Sequence, residues 1–372
     1  MRTLHVYSGN LYGGIEAILL TLATFRGEAG DHEFALCFDG RLSHELEAAG
    51  AAVVILGEVR LSRPRTLRRA RLRLREALAA GRFDRVVCHA PWTQGLFGGV
   101  VRRAGLPLAF WAHDAMTGGH WTERLARRLP PDIVICNSEF TASTLPLLYS
   151  AVASCVVHPP VPELPLLTAE GRARLRASLA TEESAVVVIT ACRSEAWKGH
   201  EVLVEALAAL GDLTGWTWWQ VGGAQRPDEE AWLRSIREKA QSRGIADRTR
   251  WLGQRADVPQ LLRAADIYCQ PNLSPEPFGV VFVEALRAGL PVVTSALGGA
   301  LEIVNETCGV LTAAGDAHGV AAALRRLIED RTARTRQGAG GPARAAAVSD
   351  PVTQFRKLEQ ALADMSPAVV RA

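Results

Sequence analysis

Short apolar runs recur along the chain, each followed by a polar, helix-forming or loop stretch. The first set is TLHVYS, EFALCF, AVVIL, RVVCHA, PLAFWAH, DIVICNS and SCVVHP. Strand-like runs alternating with helical stretches are the signature of parallel βαβ units. The segment HPPVPELPLL (158–167) holds four prolines and reads as a linker. Alternation then restarts with AVVVITACR, TWWQVGG, RTRWLG, DIYCQPN, PVVTSA and GVLTAA. The pattern predicts two doubly wound, Rossmann-like α/β domains, 1–165 and 166–350, and a C-terminal helix and tail, 351–372. The Gly/Ala-rich QGAGGPARAAA (337–347) reads as a hinge before a last helix from about Val352 to Ala363. In such folds ligands bind outside the carboxyl ends of the strands, so an interdomain cleft is the expected site.

Composition narrows the class. At 372 residues, 48% hydrophobic and 22% charged, the chain has the make-up of a globular protein large enough for two cores. Its first residues, MRTLHVYSGN, lack the apolar region of a signal peptide, and no apolar run reaches membrane-spanning length. Seven cysteines form no C-x-x-C pair and fall mostly in strand-like runs, as buried free thiols do. The expectation is a cytoplasmic protein with neither disulfides nor zinc.

The segment NLSPEPFGVVFVEALRAGLPVV (272–293) sets two carboxylates, Glu276 and Glu284, eight apart in an otherwise apolar stretch. Glutamate on a solvated helix face would need no explanation. Pro277, however, disfavours the α region at Glu276, placing it in a loop before a helix from about Phe278 to Ala288, with Gly289 as the stop. Glu284 then lies roughly 12 Å along the axis from Glu276. Between them the amides of Phe278, Gly279 and Val280 form a helix N-terminus suited to phosphate. Hydroxyl acceptor, anion site, hydroxyl acceptor is also the order that sugar, diphosphate and ribose require.

Cations for such an anion stand in ITACRSEAWKGHEVLVEAL. Arg193 and Lys198 lie at and after the end of the second domain's first strand, and Lys198 is one of only three lysines beside 39 arginines. Ordinary surface charges would look the same in isolation. Fixed cations neutralise a diphosphate leaving group without a metal, and no D-x-D pair or His/Asp cluster in the first domain suggests one. A dehydrogenase is disfavoured, because the first strand is followed by SGNLYGGIEA and not by G-x-G-x-x-G.

These motifs resemble the retaining family 4 glycosyltransferases of the GT-B fold. The family's E-x7-E matches Glu276 and Glu284, its R-x4-K-G matches Arg193, Lys198 and Gly199, and its GGxxE matches Gly298, Gly299 and Glu302. The likeness is close over most of 185–330 and looser in the first domain, where it rests on the glycine pair and WAHDA. It implies that Arg193 and Lys198 bind the donor diphosphate and that Glu284 holds the ribose. It also implies backbone contacts at Phe278, Gly279 and Val280, Leu252 near the base, and Gly14 presenting its amide to a donor phosphate. Glu276 and His113 would be catalytic, beside the donor sugar, in a one-face reaction whose leaving phosphate takes the acceptor's proton. A lone histidine at a strand end is otherwise more often a packed one. The implied activity moves a sugar from a nucleotide-diphosphate sugar to a hydroxyl acceptor in glycan, glycolipid or glycoconjugate (polysaccharide) biosynthesis, with no cofactor, no metal and no nucleic-acid partner. A sugar-nucleotide epimerase, a phosphorylase or a non-catalytic nucleotide-sugar-binding protein are the alternatives.

One segment remains. RPRTLRRARLRLREALAAG (63–81) sets Leu67, Ala70, Leu74, Ala77 and Leu78 on one stripe, with Arg65, Arg68, Arg69, Arg71, Arg73 and Arg75 elsewhere. A crossover helix with a solvated face accounts for this. Peripheral docking on an anionic membrane, at the inner face, would use the same arginines.

Overall fold

The structure is a computed structural model that describes residues 1–10, 13–25, 30–224 and 226–365. The chain divides into two units, Met1–Pro162 with Ser349–Ala372, and Glu163–Val348. The first contains a parallel sheet of β1 (Arg2–Tyr7), β2 (Asp31–Leu36), β3 (Val53–Ile55), β4 (Arg85–His89), β5 (Leu108–Ala112), β6 (Ile133–Cys136) and β7 (Ser154–Val156). Its spatial order is β3-β2-β1-β4-β5-β6-β7. The second contains β8 (Val186–Ala191), β9 (Trp216–Val221), β10 (Thr249–Gly253), β11 (Ile267–Gln270), β12 (Val292–Ser295) and β13 (Gly309–Thr312), in the order β10-β9-β8-β11-β12-β13. All thirteen expected strands are present.

The strand orders matter more than the strand count. In each unit the first strand has an early neighbour on one side and a later one on the other: β1 between β2 and β4, β8 between β9 and β11. The connections leave in opposite directions there, opening a crevice at the carboxyl ends of those two strands. The sequence could not give this order, because strand pairing is a long-range choice that local pattern does not record. The apolar runs are buried on both faces, as parallel sheets require: Val86, Val87, Phe110, Val188, Ile189, Ile267 and Val293 are fully buried.

Two expectations change. The glycine-rich stretch 337–347 is no hinge, since one helix, Arg331–Ser349, runs through it with Pro342 inside. Its glycines are there for contact. A Cβ on Gly338 would come within 2.3 Å of the Gly289 carbonyl oxygen, and one on Gly340 within 2.2 Å of that of Thr307. Glycine lets the helix lie directly on neighbouring backbone, which composition alone cannot distinguish from flexibility. The last helix, Pro351–Ala363, packs with the first unit: Phe355, Leu358 and Leu362 join Leu19, Leu22 and Val157 in its core. Asp350 caps it, accepting from the Thr353 amide at 2.9 Å. Of the expected tail, residues 366–372 lie outside the described residues.

Candidate functional site

In the second unit the crevice falls between the loops that follow β8 and β11. The Arg193–Lys198 loop ends in a tight turn, Ala196–Lys198, and Gly199, with φ of 76°, starts the helix His200–Ala208. A Cβ on Gly199 would lie 1.8 Å from the Pro271 carbonyl oxygen, so only glycine lets the two loops meet. The Leu273 amide donates to the Trp197 carbonyl at 2.8 Å and fastens them.

That contact brings Lys198 to Glu276. Lys198 Nζ lies 2.7 Å from Glu276 Oε2, with both side chains largely buried. The same oxygen accepts from Asn272 Nδ2 at 3.0 Å and Gln270 Nε2 at 3.3 Å, and the Tyr268 hydroxyl donates to Gln270 Oε1 at 2.7 Å. Gln270 and Asn272 therefore belong to the site, and nothing in their spacing announced them. The signal was available only as polar residues at the end of the apolar run DIYCQPN. Behind Glu276, the Gly299 amide donates to its carbonyl at 2.8 Å, and a Cβ on Gly298 would clash with that carbonyl at 2.4 Å. The Gly298-Gly299 pair thus holds the carboxylate loop in place.

The helix carrying Glu284 runs Val280–Arg287, two residues later at its start than expected. Pro277 is in the loop and not in the first turn, because the Glu276 backbone is bridged to Gly298 and Gly279 turns the chain at φ 108°, ψ 61°. Phe278 is buried in that loop. Gly279 caps the helix and Val280 opens it, and first-turn amides lack intrahelical partners. Glu284 sits among so many neighbours that desolvation pushes its carboxyl up to about 7. Arg193 is not brought to Glu276. Its guanidinium faces Glu195 at 3.0 Å and the buried Glu229 at 3.7 Å. Leu252 lies partly buried in β10.

The first unit carries the other expected residues at the ends of β1 and β5. Gly14 opens the exposed start of the helix Gly14–Thr24, after a stretch in which Leu11 and Tyr12 lie outside the described residues. The Gly13 amide beside it is already taken by Glu16 Oε2 at 2.8 Å, and Tyr7 donates to the other oxygen at 2.7 Å. His113 directly follows β5. Asn137 Nδ2 donates to its carbonyl at 2.9 Å, and its ring is almost fully buried. Burial lowers its pKa to about 3, so it is neutral. Its Nε2 lies 2.8 Å from His89 Nδ1 and its Nδ1 has no hydrogen-bond partner. His89 was not singled out from the sequence, although it ends β4 as His113 follows the end of β5.

Of the helix Pro64–Gly81, Ala70, Leu74 and Leu78 are buried as expected. The arginine face is smaller than expected. Arg71 Nε donates to the Leu96 carbonyl at 2.8 Å and Arg73 to that of Ile55 at 3.2 Å, which leaves Arg65, Arg68, Arg69 and Arg75 exposed. Long arginine stems reach back to the sheet from positions that a helical projection assigns to solvent. All seven cysteines are free thiols, and no cluster of metal-ligating side chains occurs among the described residues. No described helix is long and apolar enough to cross a membrane.

Comparison with known proteins agrees with this architecture. The family described as Glycosyl transferases group 1 matches residues 171–344, and Glycosyltransferase Family 4 matches residues 12–163. The chain belongs to the family 4 glycosyltransferases, with the GT-B fold of two Rossmann-like domains. It is 29% identical over 305 residues to a D-inositol 3-phosphate glycosyltransferase of Nocardioides sp. (strain ATCC BAA-499 / JS614), covering 72% of this chain and 65% of that one. It is 37% identical over 147 residues to a phosphatidyl-myo-inositol mannosyltransferase of Mycobacterium leprae (strain TN), covering 39% of this chain and 37% of that one. The chain thus spans less than two thirds of either relative's length. The crystal structure of Anabaena Alr3699/HepE in complex with UDP-glucose superposes with a TM-score of 0.85 at 25% identity, over 98% of this chain and 99% of that one.

Proposed function

We propose that the protein is a retaining, metal-independent glycosyltransferase that moves a sugar from a nucleotide-diphosphate sugar to a hydroxyl acceptor, in the assembly of a glycan, glycolipid or other glycoconjugate. The observation that carries the reading is the Lys198–Glu276 pair, 2.7 Å apart at the crevice between β8 and β11. A cation, a carboxylate and a helix start are the three groups that a diphosphate sugar needs within reach. In the reaction Lys198 and Arg193 neutralise charge developing on the leaving diphosphate, which is where preorganised charge lowers a barrier most. Glu276 and Glu284 accept hydroxyls of the donor sugar and the ribose, Gly279 and Val280 offer amides, and Leu252 lies by the base. Gly14 offers an amide to the donor phosphate and His113 faces the reacting sugar. The relatives named for inositol substrates and the UDP-glucose complex of Alr3699/HepE support a nucleotide-sugar donor and a polyol acceptor.

The test is turnover of a nucleotide-sugar panel that includes UDP-glucose, with and without a chelator. Sugar transfer or donor hydrolysis that survives chelation supports the reading. Binding without turnover of any donor would leave a nucleotide-sugar-binding protein. Activity abolished by chelator and restored by magnesium or manganese would remove metal independence.

A further inference from the structure

Four histidines from adjacent strands of the first sheet form an unbroken row of hydrogen bonds. His32 Nδ1 lies 2.8 Å from His5 Nε2, His5 Nδ1 lies 2.8 Å from His89 Nε2, and His89 Nδ1 lies 2.8 Å from His113 Nε2. They stand on β2, β1 and β4 and just beyond β5, which are neighbours in that order, so the row crosses the sheet. None is more than 5% exposed. At the His32 end, Glu359 Oε1 stands 3.6 Å from Nε2, while Arg85 holds the other carboxylate oxygen at 2.6 Å. At the His113 end, Nδ1 is buried with no hydrogen-bond partner.

A neutral imidazole has one donor and one acceptor nitrogen. A row in which each inner ring uses both therefore has two consistent proton arrangements. Either every ring donates towards Glu359, or every ring donates towards His113. Any mixture sets two N–H groups or two lone pairs face to face. Both ends favour the first arrangement. The Glu359 carboxyl group, fixed in place by Arg85, presents an oxygen that attracts an N–H at His32 Nε2 and repels a lone pair there. At the other end, a ring nitrogen without a proton is left facing the carboxyl end of β5. Such a lone pair is ready to accept from a hydroxyl, and a buried N–H without a partner is rarer still in native structures.

We propose that His32, His5 and His89 are positioning residues that lock His113 as the Nε2-protonated tautomer. His113 Nδ1 is then held as an acceptor for a sugar hydroxyl. The geometry suits the task. The rings of His89 and His113 lie within 15° of one plane, which aims the N–H along the lone pair, and Trp111 stacks on both at 5.4 Å. Just after His89 the chain turns through Ala90 at φ 68°, a conformation costly for a non-glycine residue that fixes how the strand ends. The inference rests on the proposed place of His113 beside the reacting sugar, which gives its open nitrogen a purpose.

The experiment reads the tautomer directly, on ligand-free protein labelled with 15N-histidine. Long-range 15N–1H correlations separate protonated from unprotonated ring nitrogens, and His113→Gln assigns the signals. In the wild type we expect His113 Nε2 protonated and Nδ1 not. In Glu359→Gln, at the far end of the row, and in His89→Phe, which interrupts it, both His113 nitrogens should shift towards an average of the two forms. Melting curves confirm that each variant is folded, and Glu359→Gln decides alone if His89→Phe is not. A proton on Nδ1 in the wild type, or a pattern unchanged by the variants, overturns the proposal. His113→Ala that turns over UDP-glucose as the wild type does removes the catalytic role of His113 while leaving the tautomer result standing, so the two readings fail separately.

Discussion

Lys198 Nζ and Glu276 Oε2 are 2.7 Å apart, although 78 residues separate them in the chain. The pair joins the two loops of the second unit's crevice, and its charges are balanced before any ligand arrives. A diphosphate entering beside Lys198 exchanges one anionic partner for another, so its binding is less favourable than an unpaired lysine would make it.

Lys198→Met should lower kcat/KM by about a hundredfold, the loss typical when one donor to a developing anion is removed. Glu276→Gln keeps Asn272 and Gln270 as neighbours and should be milder in stability than Lys198→Met, which leaves a carboxylate without its cation. In melts of ligand-free protein the double variant should show a coupling of about 1–3 kcal/mol relative to the two single ones. Additive melting temperatures, with turnover near that of the wild type in Lys198→Met, would argue against this pair as the donor site.

Glu284 has its folded pKa raised from 4.5 to about 7 by desolvation. The folded state therefore holds a proton that the unfolded state releases. Its contribution is fully present below the unfolded value and is lost as pH rises through about 7. Glu284→Gln should melt close to the wild type at pH near 5 and above it at pH near 8, by on the order of 2 kcal/mol. If the ionised form binds the ribose, donor affinity in the wild type should improve as pH rises through about 7, and Glu284→Gln should lose that slope. A titration of donor affinity with the same pH dependence in both proteins would refute the assignment.

The buried histidines act in the opposite sense. His5, His89, His113 and His200 all have pKa values lowered by desolvation, to about 3 for His113 and about 4 for His200. At His5 burial is the main cause, and the neighbouring His32, His89 and Arg85 add to the lowering. The unfolded chain takes up protons below about 6.5 that the folded chain refuses, so stability falls as pH drops from there. Each such histidine contributes up to about 1.4 kcal/mol per pH unit in that window. Melting followed from pH 7 to 5 should fall steeply, and His200→Phe should flatten the slope by roughly one proton. A melting temperature that holds level across this range would show that these rings are charged in the fold.

Arg65, Arg68, Arg69 and Arg75 remain exposed on the helix Pro64–Gly81. At about 1 kcal/mol for each basic residue near an anionic surface, four suffice for weak, salt-sensitive docking. Co-sedimentation with acidic vesicles should be detectable at low salt, lost at high salt and absent with neutral vesicles. No binding to acidic vesicles at low salt would leave the arginines as an ordinary solvated face and favour a soluble acceptor.

Much of this protein is legible in its sequence because much of it is local. Apolar runs and turn residues mark every strand, since burial on both faces demands continuous apolar side chains. The spacings of Arg193 to Lys198 and of Glu276 to Glu284 are also local, because each pair lies within a single loop or loop-and-helix segment. What the sequence left open depends on contacts between distant segments. Gly338 and Gly340 read as a hinge because composition does not say whether a missing Cβ provides freedom or close approach, and the backbones of Gly289 and Thr307 decide it. Gln270 and Asn272 join the site only because Gly199 lets the Lys198 loop settle against Pro271. The row from His32 to His113 draws on segments scattered between His5 and His113 in the sequence and becomes a row only when sheet order sets them side by side. Local pattern determined the elements and the spacing of the charged motifs. Strand order and backbone-to-backbone contact, which are long-range and therefore absent from any window of sequence, decided which side chains meet.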